Sequence, residues 1–258
     1  MILPTGLRRR PLLVGNWKMH GLRAACVARA QAVARGAVGL DCDLMLCPPA
    51  TALTAVHETL DASASAVALG GQACHAERNG AFTGDVSAAM LRDAGCVAVL
   101  AGHSERRAAH GEDDVVIRHQ AASIQAAGMT VILCVGETAA QHAAGATLVA
   151  LTAQTTACLP PQATAANTVI AYEPVWAIGA GCAATPAAAQ AAHVCIRDCL
   201  RAHLGPETAA QIRILYGGSL SAASAADLLR LPDVDGGLVG GASLDPDGFL
   251  AIARLAAG

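Results

Sequence analysis

Aromatic side chains are scarce in this chain, with two Trp, two Tyr and two Phe in 258 residues. Lysine is scarcer: the seventeen Lys plus Arg residues include a single lysine, Lys18. Charge of either sign is thin, at 14% of residues, and the formal net charge is −3. That balance argues against nucleic acid or an anionic membrane as the main partner. No apolar run approaches the roughly 20 residues that a bilayer-spanning helix needs. The run 8–10 with 11–15 after it is faintly similar to a secretory signal. Its apolar part is too short, however, and Lys18 interrupts the next stretch, so a cytoplasmic protein is expected. The ten cysteines contain no C-x-x-C pair. Cys47, Cys96 and Cys134 sit in apolar runs and read as small buried hydrophobes. His193, Cys195, Cys199 and His203 are the nearest approach to a ligand cluster, and core packing accounts for them better than metal. No metal site is expected from them.

What is present is a regular alternation. Short apolar runs at 12–16, 43–47, 67–71, 96–101, 129–135, 168–172, 212–216 and 237–239 predict eight strands, each followed by an Ala-rich helical stretch. Continuous apolar runs fit strands covered on both faces, as in a parallel sheet. Thr185-Pro186 reads as an N-cap with Pro at the first helical position. Glu112, Asp113 and Asp114 put negative charge at the start of a helix running toward Gln125. Ser221 or Ser224 can cap a helix ending near Arg230. No linker or low-complexity break divides the chain. Eight units in this length fit one α/β fold, a single (β/α)8 barrel over residues 1–258. The rival, a doubly wound open sheet, would carry a G-x-G-x-x-G fingerprint in its first βα turn, and none is there.

In a barrel, the carboxyl ends of the strands converge on one mouth. Strand one ends in Asn16-Trp17-Lys18, strand four in Gly102-His103-Ser104-Glu105-Arg106-Arg107, strand five in Gly136-Glu137 and strand six in Glu173. The segment A-Y-E-P-V-W-A-I-G-A-G at 171–181 mounts Glu173 on a strand tip, where Pro174 holds it extended, ahead of a glycine-bearing loop. A lone surface Glu before an ordinary connection would read the same way, so the setting must decide. A carboxylate on a rigid tip beside an apolar lid suits proton abstraction in a dry pocket. His103, between a strand and a helix start, favours an uncharged imidazole, because a helix N-terminus disfavours added positive charge. Lys18, a compact point charge, can stabilise a developing enolate or hold a phosphate. Gly217-Gly218-Ser219 and Gly240-Gly241 end strands seven and eight, a frequent phosphate site in barrels. Trp17, Tyr172, Trp176 and Tyr216 lie in or beside these segments and suggest a shaped pocket, although aromatic residues also pack ordinary cores.

With these residues in place the chain resembles the triosephosphate isomerase family over about residues 12–255. The match includes N-W-K at 16–18, G-A-F-T-G at 80–84, and the His103, Glu137, Glu173, Ser219 and Gly240-Gly241 segments. That family is itself a familiar example of a tuned carboxylate base and a closing lid, so its roles come with the resemblance. Glu173 would take a proton from the carbon beside the substrate carbonyl. His103 would move protons between the enediol oxygens, with Lys18 and Asn16 stabilising the charge. Gly179, Ser219, Gly240 and Gly241 would hold the phosphate. Closure of 174–181 would exclude water. The resemblance also implies that no metal or organic cofactor is needed, and a homodimer, with the loop 71–84 reaching a neighbouring subunit's site and Thr83 at its tip. Bottom-up, that loop is only a long connection after strand three. Three positions depart from the family pattern: Cys182 at the far lid hinge where Lys is usual, followed by Ala183 and Ala184; Ala73 after Gln72; and His20 where Asn is common. A relative acting on a four-carbon ketose phosphate and a non-catalytic barrel are the competing readings.

Overall fold

The structure, a computed structural model, describes residues 9–179 and 183–258. Arg8, Ala180, Gly181 and Cys182, all in segments named from the sequence, lie outside the described residues. Eight parallel strands form one closed sheet: β1 (Leu12–Asn16), β2 (Asp43–Cys47), β3 (Ala68–Gly71), β4 (Ala98–Ala101), β5 (Thr130–Val135), β6 (Thr168–Tyr172), β7 (Arg213–Tyr216) and β8 (Gly236–Val239). Each pairs with the next, and β8 returns to β1 with Leu12 opposite Gly236, closing the barrel. Among the described residues the helices are α1 (Arg23–Gly36), α2 (Leu53–Ala62), α3 (Ala88–Asp93), α4 (Ser104–His110), α5 (Asp114–Ala126), α6 (Ala139–Ala143), α7 (Thr147–Cys158), α8 (Pro186–Leu204), α9 (Pro206–Gln211), α10 (Ala222–Leu228) and α11 (Pro246–Ala257).

The continuous apolar runs have a direct explanation in two cores. Alternate strand residues such as Val14, Met45, Leu100, Ile132, Val169 and Leu215 fill the barrel interior. Their neighbours Leu13, Leu46, Val99, Leu133, Ile170 and Ile214 pack outward against the helices. A strand apolar on both faces cannot show the alternation of a half-wet sheet.

Three of the eight strands have the expected bounds; β8 starts one residue early, at Gly236, which pairs with Leu12, and the other four start one or two residues late for a definite reason. Cys96, Met129 and Ile212 are apolar and buried, but their amides donate back to the preceding helical segment rather than into the ladder: Cys96 to the carbonyl of Leu91, Met129 to that of Ile124 and Ile212 to that of Thr208. Val67 donates instead to the Ser65 hydroxyl. Burial thus begins before pairing does. The start signals hold: Thr185 caps α8 through the Ala188 amide with Pro186 at the first position, and Asp113 caps α5. Ser221 and Ser224 form a reciprocal capping box on α10. That helix ends at Leu228 rather than near Arg230, because Pro232 disfavours helical geometry in the residue before it and the chain turns with Leu231 donating to Leu228. No helix among the described residues is long and apolar enough to cross a membrane.

Candidate active site

The carboxyl ends of β1, β4, β6, β7 and β8 surround a cavity of about 870 Å³. Asn16, Lys18, His103, Glu173, Gly179, Ser219, Gly240 and Gly241 all line it, so every site residue expected from the sequence arrives at one mouth.

Local geometry fixes each group. Asn16 is buried at the tip of β1, and its Oδ1 accepts the Lys18 amide at 3.0 Å. Lys18 holds a left-handed backbone, φ +50°, which is uncommon for a residue with a Cβ and must be held by its surroundings. Gln72 does so from the end of β3: its Nε2 donates to the carbonyls of Lys18 and Cys47, both at 2.8 Å. The Lys18 Nζ then reaches Glu105 Oε1 at 2.6 Å.

His103 is the N-cap of α4, and its Nδ1 accepts the Glu105 amide at 3.2 Å. A proton on Nδ1 would collide with that N–H, so Nε2 is the ring's donor. Nε2 lies 3.1 Å from Glu173 Oε1. The other Glu173 oxygen accepts the Ser104 amide at 2.8 Å. Glu173 is 2% exposed, and burial raises its pKa above the ordinary 4.5, opposed in part by His103, the Ser104 amide and Lys18. Exposed Glu105 goes the other way. Burial pushes its carboxyl up, but the Lys18 hydrogen bond and charge, with His103 and His20, outweigh it and hold it below its usual value.

The backbone under Glu173 is tight. A Cβ on Gly136 would sit 1.8 Å from the Glu173 carbonyl oxygen. The Gln154 amide grips Gly136 from α7, accepting its N–H at 2.8 Å and donating to its carbonyl at 2.9 Å. Gly136→Ala must therefore move strand six's tip. We expect kcat/KM to fall about 100-fold for a displacement near 1 Å, with a lower urea midpoint; unchanged kinetics would refute the coupling.

The expected aromatic lining is corrected. None of Trp17, Tyr172, Trp176 and Tyr216 is among the described residues that line the cavity. Trp17 is fully buried, with the Arg29 guanidinium 5.8 Å from its ring. Tyr172 and Trp176 both donate to Glu137 Oε1, at 3.1 and 2.7 Å, and His142 stacks on Trp176 at 4.1 Å. Glu137, wholly buried, thus anchors the stem of the segment after Glu173 instead of facing the cavity. Tyr216 accepts the Ala184 amide at 2.9 Å on the far side of that segment. Ser219, which does line the cavity, donates its hydroxyl to the Ala177 carbonyl at 2.6 Å. Thr83 is exposed on the loop after β3, where Phe82 packs over His75. Sequence reasoning gave no role to Ser104, Glu105 or Gln72. The G-H-S-E-R-R run held the first two as a signal, whereas Gln72 shows its purpose only once β1, β2 and β3 are side by side.

No cluster of three or more His, Cys, Asp or Glu capable of holding a metal occurs among the described residues. His193 Nδ1 instead pairs with the Asp233 carbonyl, and His203 Nδ1 with that of Cys199.

A closed parallel barrel whose mouth joins a buried carboxylate, an imidazole, an ammonium and paired glycines is the build of a (β/α)8-barrel enzyme acting on a small anionic substrate. Known proteins narrow this. The sequence profile of the family described as "Triosephosphate isomerase" matches residues 11–256. The chain is 51% identical over 246 residues to triosephosphate isomerase of Rhodopseudomonas palustris (strain BisA53), covering 95% of this chain and 96% of that one. It is 49% identical over 249 residues to that of Bradyrhizobium sp. (strain ORS 278), covering 96% and 98%. A crystal structure of triosephosphate isomerase from Bartonella henselae superposes with a TM-score of 0.88 at 38% identity, covering 95% of this chain and 98% of the other. The chain belongs to the triosephosphate isomerase family, and it is an isomerase.

Proposed function

We propose that this enzyme interconverts dihydroxyacetone phosphate and D-glyceraldehyde 3-phosphate through an enediol(ate), with Glu173 as base and uncharged His103 as electrophile and proton shuttle. The observation that carries the reading is the 3.1 Å approach of His103 Nε2 to Glu173 Oε1 at the wall of a cavity that also holds Lys18. A carboxylate oxygen with one donor still has a lone pair free, so Glu173 need only turn an oxygen toward the substrate C–H. Any donor it gives up on the way makes it more basic, and its raised pKa already makes it a better match for that proton. Nε2 is then left to donate to the substrate oxygens. Lys18 and Asn16 lower the cost of the enediolate's charge, in a site where few waters compete. Gly179, Ser219, Gly240 and Gly241 receive the phosphate.

The chain works as a single barrel domain over 1–258 and as a homodimer in the cytoplasm, in glycolysis and gluconeogenesis, without metal or cofactor. A coupled assay on purified protein tests the reading. Turnover of the three-carbon substrates should exceed that of a four-carbon ketose phosphate in kcat/KM. A reversed preference would move the assignment to the longer substrate, and no turnover of either would leave a non-catalytic barrel.

A further inference from the structure

Lys18 is the only lysine in the sequence. Arginine stays protonated in proteins and offers no free amine, so side-chain amine chemistry has a single address on this chain. That address lines the cavity. The Lys18 side chain crosses the end of β8, where a Cβ on Gly240 would meet Cε at 3.3 Å and Nζ at 3.8 Å. It is 26% exposed, within reach of a reagent entering the mouth.

We propose that Lys18 Nζ is the one side-chain acceptor on this protein for phosphorylated aldehydes, which the cavity collects by their phosphate and presents to the amine. The inference rests on the reading of Gly240 and Gly241 as phosphate ligands. In the step itself the ammonium releases one proton to solvent. The nitrogen lone pair adds to the aldehyde carbon, and one N–H proton passes to the carbonyl oxygen, which becomes a hydroxyl. That hydroxyl leaves as water with the second N–H proton while the C=N bond of an imine forms, so nothing is oxidised or reduced. The adduct removes the ammonium and fills the cavity, so one event silences one site. In a lysine-rich protein the same reagent would be spread over many surface amines; here only the α-amino group competes. The aldehyde of the proposed reaction belongs to the reactive class, which makes the enzyme open to slow modification by its own substrate.

Pyridoxal 5′-phosphate is a suitable probe. Purified protein is treated with it, reduced with borohydride to fix any imine, digested and mapped by mass spectrometry, with isomerase activity followed in parallel. The expected result is one side-chain adduct, at Lys18, with residual activity equal to the unmodified fraction. Unphosphorylated pyridoxal, or the phosphate form in excess inorganic phosphate, should react at least about tenfold more slowly, the scale of one lost charge-assisted contact. Lys18→Arg should give no side-chain adduct. Adducts confined to the α-amino group, equal rates for the two aldehydes, no protection by phosphate, or modification of Lys18 without loss of activity would each overturn the proposal. Protein that isomerises normally yet behaves in one of those ways refutes this inference alone. Protein that is modified at Lys18 with phosphate protection but never isomerises refutes the proposed function and leaves the modification site standing.

Discussion

Replacing Glu173 by Gln should lower kcat/KM by at least about 1,000-fold, within the range set by loss of a positioned general base. The amide keeps the size and shape of the side chain in its buried slot, so the far-ultraviolet circular dichroism should not change. Glu173→Asp keeps the charge but withdraws it by one methylene from the line between His103 and the cavity, and about 100-fold is expected for that misplacement. The acid side of the pH profile carries a second test. Burial raises the Glu173 pKa above 4.5, and only the ionised form can accept a proton, so kcat/KM should fall with decreasing pH through a midpoint above that value. The same shift has a sign for stability. A raised folded pKa makes ionised Glu173 a cost at neutral pH, relieved as pH falls toward and below 4.5. An active Gln variant, or an acid limb at or below 4.5, would remove Glu173 from the role of base.

The largest expected loss of stability comes from the opposite end of the barrel. Arg197, on α8, is 1% exposed. Its Nη1 donates to the carbonyls of Ala209 and Ile212, its Nη2 to Asp235 Oδ2 at 2.9 Å and its Nε to Asp233 Oδ1 at 3.2 Å. Asp235 in turn accepts the Ile214 amide at 2.8 Å and Arg9 Nε at 2.5 Å. Burial pulls both partners toward neutrality, raising the Asp235 pKa and lowering that of Arg197. Such a pair adds little net stability while intact, but it is costly to halve, because the surviving charge stays buried. Arg197→Ala leaves Asp235 with Arg9 as its one cation, beside the Ile214 amide, and strips two carbonyls of their donor. We expect a loss of about 3–5 kcal/mol in urea unfolding. Arg197→Lys should recover only part, since one ammonium cannot span both carboxylates and both carbonyls. Activity per folded molecule should hold, as β7 and β8 begin here and the cavity lies where they end. A loss below about 1 kcal/mol would show that Arg9 and water suffice.

The barrel and the gathering of Asn16, Lys18, His103 and Glu173 at one mouth were legible for the same reason: parallel strands collect their ends, so a residue placed after each apolar run arrives there. The directions in which side chains leave those ends were not legible. Glu137 and Glu173 both come after buried strands, yet one anchors Trp176 and the other faces the cavity, a choice made by register and twist. The aromatics misled for that reason. Pairings across long separations were also hidden: Lys18 with Glu105, Gln72 with two distant carbonyls, and Arg197 with Asp235 are matters of topology that no local pattern records. Strand starts slipped at Cys96, Met129 and Ile212, where apolar character marks burial but says nothing about ladder pairing.

Much of the cavity wall is main chain: Gly179, Gly217, Gly218, Gly240 and Gly241 contribute no side chain to it. Polypeptide backbone is common to every residue type, so substitutions elsewhere on the barrel can change its surface while this part of the wall keeps its shape. What a point substitution can delete from the wall is its side-chain chemistry, the groups of Asn16, Lys18, His103 and Glu173 among them, and for Lys18 the chain holds no second side-chain ammonium to take its place.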